Sequence, residues 1–169
     1  TTDAPLHGPN IIHRSPALAT DTASMLAVVQ HVLSVVPGPS DQIILLLQPT
    51  SPLRRVQHLQ TAIKRLRGVD SVVSVRPTAH PGAVCTITRG RLLPWCGTWA
   101  SMPTRRQQLT PVYQRDGTVY AFWRRTVTSQ RSLYGTRCRP LVIPAAESLI
   151  LDTPEDWAEA RRLMRVLSV

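Results

Sequence analysis

Runs of apolar and polar residues along this chain change period several times, and each change marks a predicted helix or strand. Five consecutive aliphatic residues, Ile43 to Leu47, predict a strand over 42–48 that is covered on both of its faces. Apolar residues at helical spacings predict helices over 23–36 and 55–67, on either side of that strand. Asp21 or Thr22 can cap the first of these helices.

The second half of the chain is richer in short strands. These strands are predicted over 71–75, 83–88, 91–95, 118–123 and 141–143, with a hairpin turn at Arg89-Gly90. A final helix begins with Thr153 as its N-cap and Pro154 in its first turn. Its predicted buried stripe consists of Trp157, Ala160, Leu163, Met164 and Leu167.

Alternation of helices with strands indicates an α/β fold of three layers, with helices on both faces of a mainly parallel sheet. The length of 169 residues suits one domain spanning 1–169. Residues 96–111 show no clear period, which indicates a loop or an inserted excursion. No apolar stretch reaches the roughly 18–20 residues that span a bilayer, so we expect no membrane partner.

The chain has a strong positive charge and few cysteines. A net charge of +10 makes nucleic acid or another polyanion a possible partner, and a basic binding module is therefore the alternative function. Phe122 is the only phenylalanine, so a surface for base stacking is poorly supplied. The three cysteines form no C-x-x-C motif and predict buried or half-buried free thiols in a reducing cytoplasm.

Candidate chemistry is concentrated where the aliphatic strand stops. Gln48 offers an amide, Thr50 and Ser51 offer hydroxyls, and Arg54 offers a planar guanidinium. The carboxyl end of a buried strand is where open α/β sheets bind ligands, and this set suits a polar, anionic small molecule. The same residues could instead form a simple strand-to-helix connection with capping hydroxyls.

Four segments of the sequence together resemble one known family. They read RSPALATDTAS at 14–24, LLQPTSPLR ending at Arg54, DSVVSV at 70–75 with RRQQL and VYQRDGTVY at 105–120, and ESLILDTPED at 147–156. In this order they are similar to the acylneuraminate cytidylyltransferases, which use CTP to make CMP-activated acidic sugars of nine or eight carbons. The resemblance implies a Rossmann-like nucleotidyltransferase fold and covers essentially the whole chain.

The resemblance also implies roles for the matched residues. Arg14, Asp21 and Ser24 would belong to the nucleotide pocket. Asp152 would be catalytic and would hold the Mg²⁺ that bridges the CTP phosphates. Asp152 could instead serve only the helix that follows it, through its negative charge.

The acidic sugar would be bound by a second group of residues. Arg106 would be catalytic and, with Gln107, would meet the sugar carboxylate, although Arg105-Arg106 could also be a solvated pair. The remaining residues expected around the sugar are Gln48, Thr50, Ser51, Arg54, Tyr113, Asp116 and Tyr120.

Three departures from the family pattern predict impaired activity. The family's N-terminal segment, which wraps the triphosphate, has no counterpart in this sequence, so the fold is expected to be N-terminally truncated. The acidic pair of the metal site reads Ile150-Leu151-Asp152, which weakens the Mg²⁺ site because isoleucine cannot ligate a hard cation. Asp116 replaces an asparagine and adds negative charge near an anionic substrate.

These departures leave two interpretations open. Either the missing segment belongs to the natural protein and restores the enzyme, or the chain is a non-catalytic homologue. The resemblance further implies a homodimer formed through an excursion over about 90–112, where Trp95, Trp99 and Met102 suit an interface.

Overall fold

A four-stranded mixed sheet lies at the centre of the protein, whose computed structural model describes residues 11–101, 105 and 109–167. In chain order the strands are β1 (Ile43–Leu46), β2 (Ser71–Pro77), β3 (Cys85–Thr88), β4 (Arg91–Pro94), β5 (Tyr113–Trp123) and β6 (Cys138–Val142). The helices are α1 (Met25–Val35), α2 (Val56–Arg65), α3 (Arg124–Thr128) and α4 (Pro154–Leu167). The central sheet has the order β1-β5-β2-β6, and β3 and β4 form a separate hairpin.

Strand directions follow from the three ladders of the central sheet. β5 is antiparallel to both β1 and β2, and β6 is parallel to β2. Therefore β1, β2 and β6 run in the same direction, and β5 alone is reversed. Three of the four strands run in the same direction, which confirms the predicted mainly parallel sheet. Because the reversed β5 lies between β1 and β2, two of the three ladders are antiparallel.

Helices cover both faces of the sheet, as the three-layer prediction requires. Successive residues of β5 point to opposite faces. Tyr120 and Phe122 pack with α1 and α3, whereas Val119 and Ala121 pack with α2. The fully buried Phe122 lies at the centre of the first cluster, with Val29, Leu33, Val73, Val127 and Leu133 around it.

Most of the predicted elements are present, with small shifts of their ends. The hairpin turns at Arg89 and Gly90, whose φ angles of 50° and 74° suit a two-residue turn. The predicted N-cap of α1 is wrong: Ser24 caps the helix, and its Oγ accepts a hydrogen bond from the Ala27 amide at 3.1 Å. The helix therefore starts at Met25, two residues later than predicted.

The buried stripe predicted for α4 is only partly correct. Ala160 is buried, but Trp157 is 54% exposed and Met164 is 38% exposed. The helix start is as predicted, because Thr153 Oγ1 accepts from the Asp156 amide at 3.3 Å and Asp156 Oδ2 accepts from the Thr153 amide at 2.7 Å. Among the described side chains of the predicted stripe, only the small Ala160 is buried, and Leu163 is half-buried. Leu167 falls outside the described side chains.

The short helix α3 was not predicted, because tertiary contacts hold it in place. Arg124 Nη2 donates to the backbone oxygens of Leu33 and Val36, each at 2.5 Å. Thr126 Oγ1 donates to the Asp70 carbonyl at 3.0 Å. A five-residue segment in which three side chains are β-branched would not form a stable isolated helix.

Within the described residues, no helix has both the length and the apolar character needed to cross a bilayer. The three cysteines are free thiols, as predicted. Only Cys85 is half-buried, whereas Cys96 and Cys138 are exposed, so the predicted burial is wrong for those two.

Candidate functional site

The turn that follows β1 is fixed to β5 by the side chain of Arg54. Its Nε donates to the Thr118 carbonyl at 2.6 Å, and its Nη2 donates to the Gln48 carbonyl at 2.5 Å. Burial lowers the pKa of this guanidinium, and the nearby charge of Asp116 opposes that effect. Arg54 therefore connects two backbone segments, and the sugar-shaping role predicted for it would be indirect.

A second set of bonds holds the segment around residues 145–152 against the same turn. The Leu151 amide donates to the Thr50 carbonyl at 2.9 Å. His58 Nε2 lies 2.8 Å from Glu147 Oε2, and Arg55 Nη1 lies 3.3 Å from Glu147 Oε1. His58 Nδ1 accepts from the Arg55 amide at 3.2 Å, so the ring proton is on Nε2 and faces the carboxylate. These contacts bring the two matched segments together.

Asp116 and Gly117 form an irregularity in β5 beside this turn. The register between β2 and β5 shifts between Val73 and Val75, which is typical of a β-bulge. The buried Asp116 carboxylate accepts from the amide and the hydroxyl of Thr118, at 3.1 and 2.9 Å. Gly117 has a φ of +74° and leaves the room that the Gln48 amide occupies. The negative charge at Asp116 thus faces the protein interior.

A cavity of about 350 Å³ opens between these segments. Its lining comes from the start of α1, the end of β1, the bulge in β5, the loop after α3 and the segment before α4. The residues that line it are Met25, Gln48, Gln114, Arg115, Gly117, Tyr120, Leu133, Tyr134 and Ile150. Three of the four sequence segments that carry the family resemblance, all except 14–24, therefore contribute to one cavity.

The cavity combines neutral donors with one positive charge. The rings of Tyr120 and Tyr134 are tilted, with centroids 6.5 Å apart. Burial raises the pKa of Tyr120, and the neighbouring Tyr134 adds to this, so the Tyr120 phenol keeps its proton at neutral pH. The Arg115 guanidinium lies 5.6 Å from the centre of the Tyr134 ring and donates a hydrogen bond to its hydroxyl. Such a lining suits a hydroxylated, anionic ligand.

The residues predicted for the site fall into separate groups. Gln48 and Tyr120 line the cavity, and Thr50, Ser51, Arg54 and Asp116 form the structure behind it. Another group lies outside its lining and is exposed: Arg14, Asp21, Ser24, and Tyr113, which is 51% exposed. Arg106 and Gln107, predicted to meet the carboxylate, lie outside the described residues.

The two residues of the predicted Mg²⁺ site, Ile150 and Asp152, lie in different places. Ile150 lines the cavity, whereas the exposed Asp152 lies in a shallow depression beside Trp157 and Arg161. Among the described residues, no three His, Cys, Asp or Glu side chains lie close enough to hold a metal ion together. The described lining of the cavity has no carboxylate either. These residues do not fit Mg²⁺, which prefers carboxylate oxygens.

Gln114, Arg115 and Tyr134 were not among the predicted site residues. Gln114 and Arg115 immediately precede Asp116 within a segment of the family resemblance, and that position was the one available signal. Tyr134 had no signal in the sequence, because the loop after α3 that carries it is placed by tertiary contacts.

Comparison with known proteins supports the relationship suggested by the sequence. No family model matches the chain. The chain is 30% identical over 166 residues to CMP-N,N'-diacetyllegionaminic acid synthase of Legionella pneumophila, covering 90% of this chain and 68% of that protein. It is also 30% identical over 154 residues to N-acylneuraminate cytidylyltransferase of Streptococcus agalactiae serotype III, covering 89% of this chain. The chain spans only 36% of the length of that streptococcal relative.

Solved structures confirm the fold class. CMP:2-keto-3-deoxy-manno-octonic acid synthetase complexed with CTP superposes with a TM-score of 0.58 at 18% identity, covering 87% of this chain and 70% of that chain. The 4-diphosphocytidyl-2C-methyl-D-erythritol synthase of Anaerococcus prevotii superposes with a TM-score of 0.57 at 14% identity, covering 84% and 67%. These two likenesses show a Rossmann-like fold for this chain.

Proposed function

Because this chain belongs to the acylneuraminate cytidylyltransferase family, we propose that its cavity binds an acidic 2-keto sugar and that CMP transfer from CTP is impaired. The observation that carries this proposal is the meeting of Gln48, Gly117, Tyr120 and Ile150 in one cavity at the end of β1. Three of the polar groups there, an amide, a protonated phenol and a guanidinium, can hydrogen-bond sugar hydroxyls and a carboxylate.

The proposed reaction is a displacement at the α-phosphorus of CTP by the anomeric hydroxyl of the sugar. Such a step depends on positioning and on stabilising the charge that develops on the phosphate oxygens. The cavity supplies positioning through Gln48 and Tyr120. At Ile150, where the family resemblance implies a carboxylate for Mg²⁺, the side chain is apolar, and no described residue of the lining supplies a carboxylate in its place, so transfer is slow.

A binding and turnover experiment tests this proposal. Isothermal titration calorimetry with N-acetylneuraminate and with CMP should show binding at millimolar concentration, with equal affinity in Mg²⁺ and in EDTA. Pyrophosphate release from CTP, N-acetylneuraminate and Mg²⁺ should stay close to background. Absence of sugar and nucleotide binding would contradict the proposed site, and rapid Mg²⁺-dependent pyrophosphate release would contradict the impairment.

The alternative function, binding of a polyanion, has the charge of +10 in its favour. However, several arginines are engaged within the fold: Arg54 and Arg124 donate to backbone carbonyls, and Arg162 pairs with Glu159 at 2.6 Å. A control titration with single-stranded DNA separates the two functions. Polyanion binding weakens steeply with added salt, whereas binding of a single carboxylate in the cavity changes little.

We also propose that the β3–β4 hairpin and the residues after it form a homodimer interface, as the resemblance implies for the excursion over about 90–112. Met102, named above for this interface, lies outside the described residues. Apolar side chains of the hairpin are exposed, including Ile87 at 75%, Leu92 and Leu93, and so are Trp95, at 68%, and Trp99 in the segment after it. An exposed apolar patch of this kind is typical of an interaction surface. Analytical ultracentrifugation should give a dimer for the wild-type chain and a monomer for an Ile87→Lys/Leu92→Lys variant. A monomeric wild-type protein would contradict this proposal, and Val56→Lys, an exposed apolar residue of α2, is the matched control.

A further inference from the structure

We propose that Arg115 is the residue that binds the anionic group of the ligand in this cavity, an inference that rests on the proposed function. Among the described residues that line the cavity, Arg115 is the only one with a charged side chain. An anion entering the cavity would therefore meet one positive charge and no opposing carboxylate in that lining.

The guanidinium of Arg115 is held in place by an aromatic neighbour. It donates to the Tyr134 hydroxyl and lies 5.6 Å from the centre of that ring. Tyr134 is itself fixed, because its amide donates to Ser132 Oγ at 3.0 Å and its ring packs against the core cluster that contains Tyr120. A positioned guanidinium loses less side-chain entropy on binding than a free one.

Most of the donors of this guanidinium remain available to a ligand. An arginine side chain has five N–H groups, and in the described part of the chain only the bond to Tyr134 uses one. The nearest acidic residue in sequence, Asp116, directs its carboxylate to the amide and hydroxyl of Thr118. Arg115 therefore forms no ion pair with Asp116, and its charge is available to a ligand.

The surroundings of Arg115 indicate what kind of ligand carries the anion. Gln48, Gln114 and the protonated Tyr120 can exchange hydrogen bonds with hydroxyl groups, while Met25 and Leu133 provide apolar contact. A cavity of about 350 Å³ is within the range used for small molecules. The planar fork of arginine matches a carboxylate or a phosphate equally well, so the sugar acid and the nucleotide must be distinguished by experiment.

The test compares an anionic ligand with its neutral analogue on the same variants. Arg115→Gln should weaken binding of N-acetylneuraminate about tenfold to a hundredfold, measured by calorimetry in EDTA, and leave the weak binding of neutral N-acetylmannosamine unchanged. Tyr134→Phe should weaken N-acetylneuraminate binding by a smaller factor, because the charge of Arg115 remains but its hydrogen bond to the Tyr134 hydroxyl is lost. Arg67→Gln, an exposed arginine just after α2, is the matched control and should bind like wild type.

The nucleotide is examined in parallel, with CMP and uncharged cytidine as the pair. A loss for N-acetylneuraminate assigns the Arg115 subsite to the sugar carboxylate, and a loss confined to CMP assigns it to the phosphate. If Arg115→Gln binds both anions like wild type while Gln48→Leu does not, the inference is overturned and the proposed function stands. If wild type binds neither anion, the result contradicts the proposed function itself, on which the inference about Arg115 rests. Circular dichroism melting of each variant verifies that the fold is kept.

Discussion

Replacing Gly117 with valine should destabilise the protein by about 2–6 kcal/mol and remove ligand binding. A β-branched residue is strained at a φ of +74°, which costs about 1–3 kcal/mol. In addition, a Cβ at this position would lie 2.1 Å from Gln48 Oε1 and 3.3 Å from Ser51 Oγ, and overpacking of this kind costs a further 1–3 kcal/mol or so. The Gln48 amide would have to leave its place in the cavity.

The matched control for this variant is Gly68→Val. Gly68 also has a positive φ, of +78°, but an added Cβ there would meet no atom within 4 Å. This control therefore carries the backbone strain without the clash, and its loss of stability should be about 1–3 kcal/mol. Urea denaturation measures both values. Equal destabilisation of the two variants, with N-acetylneuraminate binding kept in Gly117→Val, would contradict the close approach of Gln48.

Replacing Asp70 with asparagine should cost about 2–3 kcal/mol of stability at neutral pH. Asp70 Oδ2 accepts three hydrogen bonds, from the Thr136 amide at 3.0 Å, the Thr136 hydroxyl at 2.9 Å and the Arg137 amide at 2.9 Å. These bonds connect the start of β2 to the loop that leads into β6. Asparagine would lose the charge that strengthens them, and its NH₂ group cannot accept a hydrogen bond.

The effect of Asp70→Asn should depend on pH in a defined direction. The bonds from Arg137 and Thr136 lower the pKa of Asp70 in the folded protein, so the unfolded chain binds more protons between the two pKa values. The stabilising contribution is complete above the unfolded value of about 4 and is lost as pH falls through the lowered pKa. The wild-type advantage should therefore shrink in acid.

Denaturant titrations at several pH values measure this dependence. Asp41→Asn, at an exposed position, is the control for charge alone and should change stability by less than about 0.5 kcal/mol at every pH. A difference between wild type and Asp70→Asn that stays constant down to the acid transition would refute the role of the charge.

The elements predicted correctly from the sequence are those whose signals are local. The aliphatic run at β1, the amphipathic pattern of α2 and the Arg89-Gly90 turn each contain their own information within about ten residues. The errors concern features set by distant parts of the chain. The helix α3 depends on a bond from Arg124 to the Leu33 carbonyl of α1, and the exposure of Trp157 depends on which part of α4 the rest of the fold covers.

The candidate site shows the same division between local and tertiary information. Gln48 and Tyr120 were found because the matched segments place them at a strand end and in a buried strand. A sequence does not show where a long side chain points. For that reason the hydrogen bonds from the Arg54 side chain to the backbone at Gln48 and Thr118 could not be predicted. Nor could the sequence show that Arg115 and Tyr134, 19 residues apart, stack in one cavity.

The order of strands in the sheet has a consequence for biosynthesis. Within the described residues, β1 and β2 pair with β5 and not with each other, so neither ladder can form before Tyr113–Trp123 has left the ribosome. Until then the aliphatic segment Ile43–Leu46 has no strand to pair with, and it is exposed to chaperones and to neighbouring nascent chains. Slower translation after residue 123, or synthesis at reduced temperature, would give the sheet time to close before such encounters occur.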